Sequence, residues 1–150
     1  MLLDNIKKAN LVLPKVSTPG GNYKSVNIRG KIAYISIQFP ILNEEYLYQG
    51  RLGKELSTDQ GYAAMQLCAL NVLSQIHYKI GEERLEGINH IDAYYQQTEL
   101  WDEAPKVVNG ASDTLIAALG SKGEHSRAIF GVANLPRNFS VGLCVSATLV

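Results

Sequence analysis

The sequence predicts an α+β domain with the element order β-β-α-β-α-β-β and both helices on one face of the sheet. Three observations carry this reading. Alternating apolar runs stand in pairs near both ends of the chain, at 23–39 and 125–149. Two stretches of helical spacing lie between those pairs, and a strand-like run at 85–97 separates the two stretches. Strands grouped around two helices, rather than alternating with them throughout, point to α+β instead of a parallel α/β sheet.

Each element follows from local signals. Asp4 to Ala9 predicts a short helix before Pro14, and Ser17-Thr18-Pro19-Gly20-Gly21 predicts a turn too short to separate domains. Residues 1–20 therefore form an extension to a single domain spanning 1–150. Tyr23 to Ile28 alternates, Arg29-Gly30-Lys31 turns the chain, and Ile32 to Phe39 follows, which together predict a hairpin. Both parities of the second run are apolar, so both of its faces are expected to be covered. Ser57-Thr58-Asp59-Gln60 has the form of a capping box, with a hydroxyl three residues before a glutamine and an acid in the first turn. A helix is expected from there to Gly81, with Ala63, Leu67, Leu70, Leu73 and Ile76 as its core stripe. Leu85 to Gln97 reads as a strand, and Asp102 as the cap of a helix that tolerates Pro105 in its first turn and ends near Gly120. Two final strands flank the Asn134-Leu135-Pro136 turn. In the second of them Ser140, Gly142, Cys144, Ser146 and Thr148 form a small, uncharged face. Such a face is expected to lie against another sheet or subunit.

Composition narrows the function classes. Fourteen Lys and Arg balance fourteen Asp and Glu, so no net field recruits nucleic acid or an anionic membrane. Cys68 and Cys144 lie in apolar runs without a CxxC partner and read as free thiols of a reducing compartment. The first residues, MLLDNIKKANLVLP, mix charges into their apolar positions and lack the pattern of a signal peptide or span. The expectation is a soluble cytoplasmic protein. His77, His90 and His125 have no metal-ligand spacing, so neither a metal nor a cofactor is expected. Gly50 and Gly53 do not make a phosphate-binding fingerprint.

One charge demands an explanation. In HSRAIFGV, Arg127 stands among small and apolar residues of a strand, and a guanidinium removed from water needs an anionic partner. That partner is either a ligand or a carboxylate such as Asp113 or Glu124 of another subunit. His125 shares the parity of Arg127 and so its face of the strand.

The chain resembles the Rid family, the imine and enamine deaminases also called YjgF-like or endoribonuclease L-PSP proteins. The resemblance runs from about Tyr23 to Ala147. It rests on Asn22-Tyr23, YISIQFP at 34–40, GRLGKELSTDQGYAA at 50–64, VNGASD at 108–113 and above all HSRAIFGVANLP at 125–136. GRLGKELSTDQGYAAMQLCALN and VNGASD are closer to a less characterised branch than to the well-studied RidA deaminases. The resemblance implies a chorismate-mutase-like fold and a homotrimer whose three sheets form a central barrel, with ligand clefts between subunits. It implies that Arg127 grips the carboxylate of a small imine or enamine such as 2-aminoacrylate, while Tyr23, Ser36 and Asn109 line the cleft. Two parallel charge-assisted hydrogen bonds suit a guanidinium to that task.

Two departures matter. A cysteine common in the family is Ile129 here, and the glutamate of the last strand, which positions water in the deaminases, is Gly142. The second loss removes a carboxylate near Arg127 and is expected to enlarge the cleft. His125 is the candidate substitute for the lost acid-base group. The expected function is binding of a carboxylate-bearing imine or enamine, with hydrolysis to a keto acid and ammonia. The alternative is a trimer that binds a small carboxylate metabolite or a protein partner without turnover. Endoribonuclease action ranks third, since the neutral chain offers no paired acid-base histidines.

Overall fold

A computed structural model describes all residues from Met1 to Val150. The short helix α1 (Leu2–Lys8) begins two residues before the expected start and buries Leu2 and Ile6. It docks on the body of the molecule. Asn5 Nδ2 donates to the Ala118 carbonyl at 2.9 Å, and the Leu2 amide donates to the Glu82 carboxylate at 3.0 Å.

Strands β1 (Val26–Arg29) and β2 (Ile32–Gln38) form the expected hairpin, joined by Gly30 and Lys31. Gly30 has a φ of 59°, the conformation that a Gly-first two-residue turn requires. Tyr23 lies in the loop ahead of β1 rather than in the strand. Tyr34 is 54% exposed, so one face of β2 is open in the single chain. A small ribbon, β3 (Ile41–Leu42) with β4 (Glu45–Tyr46), follows. Its turn places Asn43 and Glu44 at φ of 49° and 76° without any glycine, so Asn43 alone marks it in the sequence.

Helix α2 (Thr58–Gln75) starts at the predicted capping box: Ser57 Oγ accepts from the Gln60 amide, and Gln60 Oε1 accepts from the Ser57 amide. A five-residue π-helical turn, Ile76–Ile80, continues it to Gly81. The expected stripe is buried from Leu67 onward, whereas Ala63 is only half-buried. The opposite side of the helix is buried too. Asn71 Nδ2 donates to the carbonyls of Phe39 and Ile41, and Ser74 Oγ donates to that of Pro14. Segments from outside the helix thus cover positions that periodicity alone assigns to solvent.

Strand β5 (Leu85–Gln96) leads to helix α3 (Ala104–Leu119). Asp102 does not cap α3. The capping position is Glu103, which gives no capping bond because its carboxylate accepts from the Thr58 hydroxyl and from Lys106 Nζ. The Thr58 bond, and then Lys106, hold the Glu103 carboxyl below the usual carboxylate range. Helices α2 and α3 touch at Gly110, where a Cβ would lie 2.2 Å from the Tyr62 carbonyl oxygen. Strands β6 (Ser126–Val132) and β7 (Val141–Leu149) complete the chain.

The five-stranded sheet has the order β1-β2-β7-β5-β6, with β5 and β6 parallel and the remaining pairs antiparallel. One face turns Ala33, Ile35, Ile91, Ala93, Leu143, Val145 and Ala147 into a core shared with α2 and α3. Each fully buried Leu or Ile there contributes about 2 kcal/mol. The other face is open and less apolar than β7 alone suggests. Strand β5 adds Asn89, His90 and Asp92 to it; His90 bonds Ser126 Oγ at 2.7 Å and Asp92 Oδ1 at 3.0 Å. Beside that polar row Tyr94 stacks on Phe130, with ring centroids 5.3 Å apart. Both cysteines are free; Cys68 is fully buried and Cys144 half-buried on the open face. No helix is long and apolar enough to cross a membrane.

Candidate functional site

Arg127 lies on β6, the edge strand. Its register partner on β5 is Ile91, a core residue, so the guanidinium leaves the sheet on the helix side and reaches α3. There Nη1 donates to Asn109 Oδ1 at 2.9 Å and to Ser112 Oγ at 3.2 Å. Ser112 Oγ lies 2.9 Å from His125 Nε2, and His125 Nδ1 lies 2.6 Å from the Gly123 carbonyl. A carbonyl can only accept, so Nδ1 carries a proton, and in the neutral ring Nε2 accepts the Ser112 hydroxyl. The result is one directed row: Arg127 to Ser112 to His125 to the Gly123 carbonyl.

The row has a chemical consequence. Both acceptors of Arg127 are neutral, and no carboxylate forms an ion pair with it. Asp113 instead accepts from the Tyr62 hydroxyl at 2.7 Å, which raises the Tyr62 pKa, and Glu124 pairs with nothing in the chain. Nη2 and Nε of Arg127 make no hydrogen bond within the chain. His125 is committed at both ring nitrogens, so it acts on Arg127 through Ser112. Ser112 escaped the sequence reading, although Asn109 and Ser112, three residues apart in a helix, share one face.

Tyr23 and Ser36 stand elsewhere. They line a cavity of about 370 Å³ on the β2 side of the molecule. The Tyr23 hydroxyl accepts from the Gly20 amide at 3.2 Å. Between β2 and β6 run β7 and β5, so three strand spacings, about 14 Å, separate this group from Arg127. Within one chain the structure joins Arg127 to Asn109 and His125 but not to Tyr23 or Ser36.

Gly142 belongs with the second group. Its register partner is Tyr94, on the open face, whereas Arg127 projects from the helix face two strands away. A side chain at 142 therefore has no route to Arg127 of the same chain. The expected enlargement of the cleft is also absent: a Cβ at Gly142 would lie 2.7 Å from Ile37 Cδ1 and 3.0 Å from Phe39 Cε1. Those two side chains occupy the space. Phe39 in turn stacks on Phe139 at 4.7 Å. Ile129 lies two residues beyond Arg127 on the same face, half-buried and opposite Ala93. No three His, Cys, Asp or Glu side chains converge as metal ligands would.

The comparisons agree on the architecture. Protein TCP17 of Trypanosoma cruzi is 31% identical over 134 residues, which cover 88% of this chain and 84% of that protein. A crystal structure from Shewanella oneidensis MR-1, of a "putative endoribonuclease", is 33% identical with a TM-score of 0.96 over 99% of both chains. Atu1372 of Agrobacterium tumefaciens, of unknown function, is 26% identical with a TM-score of 0.92 over 99% of this chain and 92% of that one. RidA of an Antarctic Psychrobacter shares the fold alone, at 19% identity and a TM-score of 0.63 over 89% of this chain and 94% of that one. The family described as "YjgF/chorismate mutase-like, putative endoribonuclease" matches residues 4–149. With its five-stranded sheet backed by helices and its arginine strand, the chain belongs to this YjgF/Rid family.

Proposed function

We infer that the protein works as a homotrimer whose clefts lie between copies, each uniting Tyr23 and Ser36 of one copy with Arg127, Asn109 and Ser112 of the next. The observation that carries this is the separation of the two groups: about 14 Å apart and on different sides of one sheet, they meet only across an interface. The ligand is a small imine or enamine bearing a carboxylate. Arg127 takes the carboxylate through Nη2 and Nε while Asn109 and Ser112 fix Nη1.

The reaction is hydrolysis of the imine. A water oxygen adds to the imine carbon and one of its protons passes to nitrogen; the remaining hydroxyl proton follows as the C–N bond breaks, and a keto acid and ammonia leave. Orientation of carboxylate and water supplies much of the acceleration, and the hydroxyls of Tyr23 and Ser36 are the groups placed to hold the water. Binding without turnover is the second reading. It is favoured by Ile37 and Phe39, which put hydrocarbon where a carboxylate side chain at 142 would stand.

Loss of 2-aminoacrylate generated in situ, followed with wild type and Arg127→Ala, tests both. Acceleration by wild type that Arg127→Ala abolishes supports the deaminase. Without acceleration, carboxylate binding that still depends on Arg127 supports the second reading. A monomer under native mass spectrometry would overturn the shared cleft.

A further inference from the structure

The cavity beside Tyr23 and Ser36 holds one charge that the reading above does not use. Arg137 lines it together with Ser17, Thr18, Tyr46 and Phe139, and no carboxylate does. An entering anion would meet a guanidinium, hydroxyl donors and aromatic rings without an internal competitor. Arg137 forms no ion pair with any Asp or Glu of the chain. Its guanidinium lies over the Tyr46 ring, 6.0 Å from the centroid, which holds the head group at the cavity while leaving its N–H donors free.

The backbone under Arg137 is built rather than incidental. Arg137 and Asn138 both adopt the left-handed conformation, with φ of 57° and 58°, which side-chain-bearing residues seldom occupy. Four hydrogen bonds hold the turn there. Gln49 Nε2 donates to the Arg137 carbonyl at 2.7 Å, and the Gly50 amide donates to the Asn138 carbonyl at 2.8 Å. Gln96, fully buried, donates to Asn138 Oδ1 at 3.0 Å and accepts from the Leu135 amide at 2.8 Å. Asparagine tolerates this conformation and glycine adopts it freely, so of the two residues only Arg137 is unusual there. The turn keeps an arginine and spends a buried glutamine on fixing it.

We propose that Arg137 is the subsite for a second anionic group, so that the protein selects small dicarboxylates, one carboxylate on Arg127 of one copy and the other on Arg137 of its neighbour. The inference rests on the shared cleft of the preceding section. A monocarboxylate would leave one of two guanidinia uncompensated as the cleft lost water, whereas a dicarboxylate matches both. The hydrocarbon of Ile37, Phe39 and Phe139 then faces the carbon chain between the two charges.

Calorimetric titration with 2-oxobutanoate and 2-oxoglutarate, stable keto acids with one and two carboxylates, separates the possibilities. Wild type is expected to bind 2-oxoglutarate about tenfold or more tightly than 2-oxobutanoate, the order expected of a charge-assisted hydrogen bond. Arg137→Gln brings the two affinities together. Arg127→Gln weakens both ligands. Arg29→Gln, which removes an arginine at the end of β1 bonded to Asn27 and the Ile28 carbonyl, keeps the preference and controls for net charge. Equal affinities in wild type, or a preference that survives Arg137→Gln, would overturn the subsite while leaving the carboxylate cleft intact. Failure of both keto acids to bind would overturn the two readings together. Circular dichroism of Arg137→Gln verifies that the exposed substitution leaves the fold in place.

Discussion

Arg127 stands in a row of polar side chains that fix one another, while Tyr23 and Ser36 stand among rings and hydroxyls that leave space. At the β6 edge the guanidinium, amide, hydroxyl and imidazole are bonded to one another, and only Nη2 and Nε of the arginine lack a partner in the chain. At the β2 edge the chain offers a cavity of about 370 Å³ with hydroxyls, aromatic walls and the free guanidinium of Arg137. One edge is organised to hold a charge in a set direction. The other is organised to enclose a body. Neither is a complete site, which is why the proposed cleft unites the two edges across an interface between copies.

The two edges respond differently to substitution. The largest effect is expected from Gly110→Ala, because a methyl group there meets the Tyr62 carbonyl and pushes α3 away from α2. A loss of about 2–3 kcal/mol follows from overpacking, read as a fall of roughly 5–10 °C in Tm. Asn109 and Ser112 ride on α3, so the Arg127 row should loosen while the β2 cavity keeps its shape, visible as larger amide shift changes at the β6 edge. Gly142→Glu strikes the other edge. Ile37 and Phe39 block the new side chain, so it should destabilise by about 1–3 kcal/mol and bring no gain in imine hydrolysis. Clearing the space with Ile37→Ala in the same chain should recover stability, and hydrolysis above wild type in that double variant would show that only packing had stood in the way.

Ser112→Ala is a finer probe. It leaves Arg127 its bond to Asn109 but removes the link to His125, and about 1 kcal/mol is expected, seen as roughly fivefold weaker carboxylate binding. His125→Gln, which can still accept from Ser112, should cost less than Ser112→Ala; equal losses would mean that the row does not act through the serine. The smallest effect concerns Cys144 on the open face between the edges. Burial, followed by the neighbouring Asp92, pushes its thiol from the ordinary 9.0 up to about 11. The folded state therefore retains a proton that the unfolded chain loses first, so the contribution of this residue to stability declines as pH rises from about 9 to 11. Alkylation by iodoacetamide should remain slow at pH 8 and quicken only toward the upper end of that window.

Much of the fold was legible in local signals. The capping box at Ser57, the glycine turn at Gly30 and the alternation of β7 each act through neighbours in the chain, where hydrogen bonds and periodicity are local quantities. The misread elements fail for two reasons, remote partners and a turn built without glycine. Glu103, not Asp102, stands at the cap position of α3, and its carboxylate is taken by Thr58, far away in sequence. The β3–β4 ribbon forms through two left-handed residues without glycine, and Asn71 is buried because Phe39 and Ile41 accept from it. The partners of Glu103 and Asn71 are remote in sequence, whereas the ribbon pairs close neighbours.

For the site, the sequence determined which chemistry is present: a guanidinium in an apolar strand, an amide on the second helix, and a glycine where the family carries a glutamate. Those are properties of residue type and spacing. Only the tertiary structure decided which groups act together. It joined Arg127 to Ser112 and His125, sent Gly142 to the opposite face behind Ile37 and Phe39, and set Arg137 at the cavity of Tyr23 and Ser36. The physical reason is that strand order and the packing of α3 against the sheet fix distances between residues remote in the chain, and hydrogen bonds and steric exclusion act only over those distances.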